Sequence, residues 1–353
     1  MCPELVPAAH ASEQQQSTQG GVLASSVVDY SEPGPLTAAM LPELEHTCTR
    51  CFPACLGNRC MLSLNVVYPR DGKAHGLQPP YPLAVISSGF LTSASSYLSY
   101  ARRLASWGYT VVMYDKVESA TEPLDDRLCV ELIREIIDWA RIDPIVSQLA
   151  DTDTTYLCGH SRGGKVSALA AVVDPRVKAV CLLDPVDVTV CAPQGPDFPS
   201  AVAAVRHMSR GVPLAVVGSG RAGDCVPKDS NYRRYFNACQ GPAWEVVLAS
   251  AGHFQFLDEQ SMLQRAVCAV GPVDDQSVRR VAQTVMVAWG EIMVKRRPPS
   301  GWLPASSNSL TVGDLVASVP EESAATRQAV LAAQETIVRD GSRVALTTRS
   351  KNI

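Results

Sequence analysis

Charge is scarce in this chain. Only 19% of its 353 residues are Asp, Glu, Lys or Arg, against roughly 25% in ordinary soluble proteins. With 46% hydrophobic residues, a disordered chain is excluded and a large buried core is expected. An excess of positive charge is also missing. The 31 Lys and Arg against 35 Asp and Glu leave a net charge of −4, so no nucleic-acid-binding surface is indicated. No apolar run reaches the roughly 18 residues of a membrane span. Gly and Pro, at 23 and 25 residues, are too few for a collagen-like or low-complexity chain. The stretch before Arg50 contains no Lys or Arg, yet it holds Glu4, Glu13, Asp29, Glu32, Glu43 and Glu45. The basic signature of an organelle transit peptide is therefore absent, and no secretory signal is readable.

Cysteine, by contrast, is plentiful for an enzyme of this length. There are 12, too dilute for a disulfide scaffold and too many to fix the redox compartment. Cys48, Cys51, Cys55 and Cys60 cluster. One or two disulfides, or free thiols, are expected there rather than zinc, because no second C-x-x-C pair exists and His46 is the one nearby histidine. Cys225 and Cys239 bracket a charged loop and are candidates for a local disulfide. Cys158 and Cys181 fall inside expected core strands, as buried thiols.

Strand-like and helix-like stretches alternate through the middle of the chain. Residues 61–68, 83–87, 109–114, 154–158, 177–183, 213–217 and 244–248 read as strands. Residues 97–107, 128–140, 165–173 and 278–294 carry helical spacing. Repeated alternation with buried strands predicts an α/β fold with a mostly parallel central sheet flanked by helices. Length alone allows two domains. Motif order, described next, predicts one catalytic domain at 46–298, an extension at 1–45, and a second at 299–353 with a helix over 321–338. The last ten residues read as frayed.

The strongest motif is Gly159-His160-Ser161-Arg162-Gly163-Gly164-Lys165. It fits G-x-S-x-G, and it lies directly between an expected strand and an expected helix. That context defines a nucleophile elbow, the mark of the α/β-hydrolase fold. Ser161 must occupy a strained turn, and side chains at 159 and 163 would collide with neighbouring backbone. The helix that follows offers its positive end to a developing oxyanion.

A nucleophilic serine needs a base and an acid. Among the six histidines, His253 follows the last expected strand, as the chain order Ser, acid, His requires. His160 sits inside the elbow and is expected to support it. Asp184 ends the strand after the elbow helix, where carboxylates face the ligand crevice of a parallel sheet. Asp184 leads for the acid, with Asp224 and Asp187 kept as alternatives. The oxyanion donors are expected to be the backbone N–H groups of Arg162 and Phe90, with Gly89 permitting close backbone approach. Gly89, Leu91 and Phe254 are expected to contact substrate. The Pro- and Ala-rich stretch 186–211 forms either a rim over an apolar site or a plain surface connection. Gly218-Ser219-Gly220-Arg221-Ala222-Gly223 matches G-x-G-x-x-G. It comes late in the chain, and Pro227 stops a helix from starting there, so it reads as a loop near the site rather than a dinucleotide fingerprint.

Several of these segments resemble the chlorophyllase family. Gly-His-Ser-Arg-Gly-Gly-Lys at 159–165 is similar to its lipase-type motif, and Asp184-Pro185-Val186 to the strand end that carries its triad acid. Pro213–Gly220 with Cys225 and Cys239 downstream, Gly252-His253, and Leu257-Asp258 are similar to further stretches of that family. The resemblance favours Asp184 over Asp224. It implies a serine esterase that cleaves the phytyl ester of chlorophyll, or of a related tetrapyrrole, to chlorophyllide and phytol. It implies no cofactor, since magnesium arrives as part of the substrate. It also implies a chloroplast location, and an apolar rim would suit peripheral membrane contact. Ser88 stands where relatives often carry His. Together with the cysteine cluster and the segment beyond 298, this marks a divergent, algal member. Two rival readings share these residues: a generic lipase or polyester-cleaving esterase on the same triad, and a non-catalytic pigment-binding or interaction protein. The sequence leaves the oligomeric state open.

Overall fold

The computed structural model describes residues 29–52, 58–189, 192–221, 223, 225–296 and 346–353. Its centre is a ten-stranded sheet. The strands in chain order are β1 (Ala38–Met40), β2 (Leu44–Thr47), β3 (Met61–Pro69), β4 (Tyr81–Ser87), β5 (Thr110–Lys116), β6 (Ala150–His160), β7 (Val177–Leu183), β8 (Leu214–Ser219), β9 (Ala243–Leu248) and β10 (Leu346–Lys351). In space they run β1-β3-β5-β4-β6-β7-β8-β9-β10, with β2 also on β3. Strands β5, β4, β6, β7, β8 and β9 pair in parallel. Strands β1, β2 and β10 add antiparallel edges.

The central strands are apolar on both faces because helices cover both. On one face, α1 (Leu98–Ser106) and α7 (Asp275–Met293) bury Leu104, Val285 and Trp289 against Val111, Tyr156 and Val246. On the other, α2 (Asp126–Ile142), α3 (Arg162–Val173), α4 (Ala201–Arg206) and α5 (Tyr232–Ala238) bury Ile133, Ile137, Val202 and Tyr235 against Val85, Leu157 and Leu182. A short helix, α6 (Met262–Val267), stays outside both cores and has no buried residue. Asp125 caps α2 and Asp274 caps α7, each accepting from a first-turn N–H.

The chain leaves β4 to one side through α1 and β5, then crosses through α2 to β6 on the other side. That reversal opens a crevice at the C-terminal ends of β4 and β6, where open parallel sheets bind ligands. The turn after β4 and the elbow after β6 meet there.

Three expectations need correction. The sheet extends past 46 and 298 on both sides. Tyr30 and Leu36 are buried, and β1 and β2 occupy part of the stretch expected as a loose extension. The last ten residues are not frayed through 346–351. There β10 pairs along all of β9, Arg349 joins Glu245, and Trp244 Nε1 donates to Thr348 Oγ1 at 3.0 Å. Cys225 pairs with Cys268, not Cys239, which is free and buried. Cys268 ends the α6 segment, and its distance along the chain hid the pairing. Cys48 pairs with Cys51, while Cys55 lies outside the described residues. Cys158 and Cys181 are buried free thiols, and burial raises both pKa values. The expected helix at 321–338 lies outside the described residues.

Candidate active site

The elbow is forced by its glycines. Strand β6 runs into α3 with Ser161 alone between them. A side chain at Gly159 would strike the backbone of Gly163, and one at Gly163 would strike the backbone of Ser87 and Ser88. Both contacts are the close approaches that the sequence spacing predicts. Ser161 takes φ of 55°, a left-handed value that non-glycine residues rarely adopt. Asp184 at φ 42° and Leu91 at φ 53° share this feature. Three strained residues at one crevice are held by the packing around them.

Ser161 Oγ lies 2.9 Å from His253 Nε2, and His253 Nδ1 lies 2.7 Å from Asp184 Oδ2. A carboxylate only accepts, so Nδ1 carries the hydrogen and Nε2 is free to take the Ser161 proton. Asp184 is fully buried and His253 nearly so. Asp184 takes two further hydrogen bonds: Ser219 N–H donates to Oδ1 at 2.8 Å, and Ser219 Oγ–H donates to Oδ2 at 2.7 Å. The buried carboxylate is thus supplied with donors, as a buried charge requires.

Ser219 ends β8, within the glycine-rich stretch 218–223. Its neighbours explain the glycines. A side chain at Gly218 would enter the Tyr232 ring, and one at Gly220 would meet the backbone of Ala249. The motif serves packing and the Asp184 carboxylate. Sequence reasoning passed over Ser219; the one available signal was a hydroxyl ending the strand beside the acid-bearing strand.

His253 is held by its own loop. Gln255 Oε1 accepts from the N–H groups of Gly252 and Gly271, and Gln255 Nε2 donates to Val273 O and Asp275 Oδ1. Asp258 accepts from Ser99 N–H at 2.8 Å, and Tyr100 Oη donates to Phe256 O at 2.7 Å. The Leu257-Asp258 stretch therefore ties the His253 loop to α1.

Of the alternative acids, the structure places one. The Asp187 carboxylate is engaged elsewhere: Ala201 N–H donates to it at 2.6 Å and Ser200 Oγ at 2.5 Å, at the start of α4. Asp224 lies outside the described residues. Among the remaining histidines, His46 pairs with Glu135, and His75 and His207 are exposed.

Arg162 opens α3, so its N–H belongs to the first turn, whose donors have no partner within the helix. Its guanidinium joins Asp126 at 2.9 Å and Glu118 at 2.8 Å, and it stands 5.6 Å from each of the Phe90 and Phe198 rings. Lys165 joins Asp126 at 2.7 Å, and Lys116 joins Glu118 at 2.7 Å. Three cations thus face two carboxylates on the wall beside the nucleophile. Arg162 and Lys165 of the elbow motif are the members of this cluster that α3 supplies.

A cavity of about 620 Å³ opens directly on Ser161. Gly89, Phe90, Leu91 and Phe254 line it, and so does Arg162. Val186, Asp187, Thr189 and Ala192 also line it, so the start of the 186–211 stretch is wall and the helical part packs beneath. The opposite wall comes from Cys225 and from Leu263 and Val267 of α6. Sequence reasoning gave α6 no role. Among the described residues, no group of three or more His, Cys, Asp or Glu side chains is placed to hold a metal ion.

The fold and the elbow define an α/β-hydrolase. A solved ferulic acid esterase from Streptomyces cinnamoneus shares that fold, with a TM-score of 0.55 at 20% identity, over 81% of this chain and 97% of the other. The chain belongs to the chlorophyllase family, whose sequence profile matches residues 63–298. It is 27% identical over 205 residues to Chlorophyllase-2 of Arabidopsis thaliana, covering 51% of this chain and 62% of that protein. It is 26% identical over 240 residues to Chlorophyllase-1 of the same plant, covering 60% of this chain and 73% of that one.

Proposed function

We propose that this protein is a chlorophyllase: it hydrolyses the phytyl ester of chlorophyll, or of a related tetrapyrrole, to chlorophyllide and phytol. The observation that carries the reading is a largely apolar cavity of about 620 Å³ ending on Ser161, which is itself wired to His253 and Asp184. That volume falls within the ~300–1,000 Å³ of small-molecule sites. Ser161 Oγ attacks the ester carbonyl while His253 Nε2 takes its proton. The Arg162 and Phe90 N–H groups hold the oxyanion. Asp184 stabilises the His253 imidazolium, which then protonates the departing phytol. Water, activated by the same histidine, releases chlorophyllide from the acyl-enzyme. Magnesium takes no part except as a piece of the substrate, and the protein supplies no cofactor.

The cavity mouth fits a substrate that lives in lipid. Leu91, Met262, Leu263 and Val267 are 52%, 89%, 72% and 58% exposed, and three of the four also line the cavity. Such a rim suits peripheral contact with a membrane surface in a chloroplast. None of the helices in the described residues is long and apolar enough to cross a membrane.

The test compares chlorophyll a with a short p-nitrophenyl ester on the purified protein. The reading predicts chlorophyllide formation with the higher kcat/KM. Brisk cleavage of the short ester beside negligible chlorophyll cleavage would instead assign a generic esterase. Pigment binding without turnover of either would assign a non-catalytic protein.

A further inference from the structure

His160 and Tyr97 are two buried polar groups beside the triad that the mechanism above leaves unused. Both are essentially shut off from solvent. The Gly89 N–H donates to Tyr97 Oη at 3.2 Å, and the same hydroxyl lies 2.8 Å from His160 Nδ1. On its other side, His160 Nε2 lies 3.0 Å from the backbone oxygen of His253.

The direction of every bond in this chain follows. A carbonyl only accepts, so His160 Nε2 carries a hydrogen. Burial, and the nearby His253, hold the His160 pKa well below its ordinary value, so the ring is neutral. Nδ1 is then an acceptor, and Tyr97 Oη–H donates to it. The Tyr97 lone pairs are left for Gly89 N–H. Burial also raises the Tyr97 pKa, which keeps its hydrogen in place. The His160 ring lies against the His253 ring, with centroids 4.6 Å apart and planes at 33°. One uninterrupted path thus runs from the turn after β4, through the elbow, to the backbone of the base. Gly89 belongs at its end: a side chain there would crowd His160 Nδ1 at 3.3 Å and Ser161 Cβ at 3.4 Å.

We propose that Tyr97 and His160 form a positioning bridge that fixes the Gly89–Phe90 turn relative to His253, so that the oxyanion donor and the base are set as one unit. The proposal rests on the triad reading above. Neither residue touches substrate; both act through the groups they hold. The bridge works through the difference between ground and transition states. A turn displaced by a few tenths of an ångström still admits the substrate, but it no longer meets the tetrahedral oxygen.

The decisive variant is Tyr97→Phe, which keeps the ring and removes the hydroxyl. With a p-nitrophenyl ester, kcat is expected to fall roughly 10- to 100-fold, a part of what one oxyanion donor supplies, while KM stays within about twofold. Affinity for an alkylboronic acid, whose tetrahedral adduct on Ser161 mimics the transition state, should weaken by the same factor. Binding of phytol should not change. A kcat and a boronate affinity both within twofold of the parent would overturn the bridge. So would a loss expressed equally in phytol binding, which marks simple structural damage. If Tyr97→Phe does not fold, the same measurements on His160→Gln uphold or overturn the bridge by the same outcomes. Turnover that survives Ser161→Ala would instead strike the triad reading itself, and the two failures are distinguishable.

Discussion

The two halves of the crevice are built differently. On the β6–β8 side, the polar groups beside Ser161 are largely buried and paired: Asp184 to Ser219 and His253, His160 to Tyr97, Arg162 to Asp126 and Glu118. On the α6 side the wall is thin. The helix has no buried residue, and its large apolar side chains face outward. It is tied to the body by the Cys225–Cys268 disulfide, beside which Val186 and Val226 pack. The rigid half holds the groups that must be positioned to a fraction of an ångström. The loose half offers apolar surface whose shape a large substrate can adjust.

That contrast can be broken at several depths, beginning with the acid. Asp184→Asn leaves the fold intact and gives His253 the wrong partner, so kcat should fall roughly 10³- to 10⁴-fold. Asp187→Asn should leave kcat within a few-fold and lower Tm instead, because Asp187 caps α4. Rates that fall further for Asp224→Asn or Asp187→Asn than for Asp184→Asn would reassign the acid.

One step further from the chemistry, Ser219→Ala removes a hydroxyl donor from the Asp184 carboxylate and leaves the backbone donor in place. A loss of roughly tenfold in kcat is expected, with KM little changed. Steady-state kinetics on a soluble ester would check this, and an unaltered kcat would mean that the Ser219 hydroxyl does not orient Asp184.

On the loose half, Met262→Ser should act on access rather than chemistry. Turnover of chlorophyll in lipid vesicles should drop a few-fold, while detergent-solubilised chlorophyll is cleaved at the parent rate. Equal losses in both media would argue against membrane contact by α6.

The smallest effect concerns pH and stability. His160 is neutral in the folded protein because burial lowers its pKa, with His253 and Tyr97 as its titratable neighbours. The unfolded chain binds a proton there below its ordinary value near 6.5, and the folded chain does not. Stability is therefore unaffected well above that pH and falls as pH drops below it, at up to about 1.4 kcal/mol per pH unit. His160→Gln should lower Tm at neutral pH yet flatten the further decline between about pH 6.5 and about pH 5. Parallel Tm-versus-pH curves would contradict this account.

The same division governs what could be read from the chain. The strands and helices that build the rigid half have long apolar periodicity, and Ser161, Asp184 and His253 stand at their ends in hydrolase order. The structure brings these three together. The edges were hidden for a physical reason. Strand β10 reads Leu-Thr-Thr-Arg-Ser-Lys, with one large apolar residue, and it is held by Glu245 and by backbone pairing to β9. Strands β1 and β2 are only three and four residues long. Ser219 and Tyr97 could not be assigned, because their roles depend on contacts 35 and 63 residues away along the chain. The Cys225–Cys268 pair spans 43 residues, where the sequence offered the nearer Cys239. Helix α6 is short and ordinary in composition, and only its place at the cavity gives it meaning.

The central claim is that Ser161 attacks the phytyl ester of chlorophyll. Purified protein and its Ser161→Ala variant, each given chlorophyll a, measure this directly by chlorophyllide release. The account predicts steady chlorophyllide formation by the parent and a loss of at least about 10³-fold in the variant. Chlorophyllide formation at parental rate by Ser161→Ala, or none by the parent under conditions where it cleaves a simple ester, would contradict it.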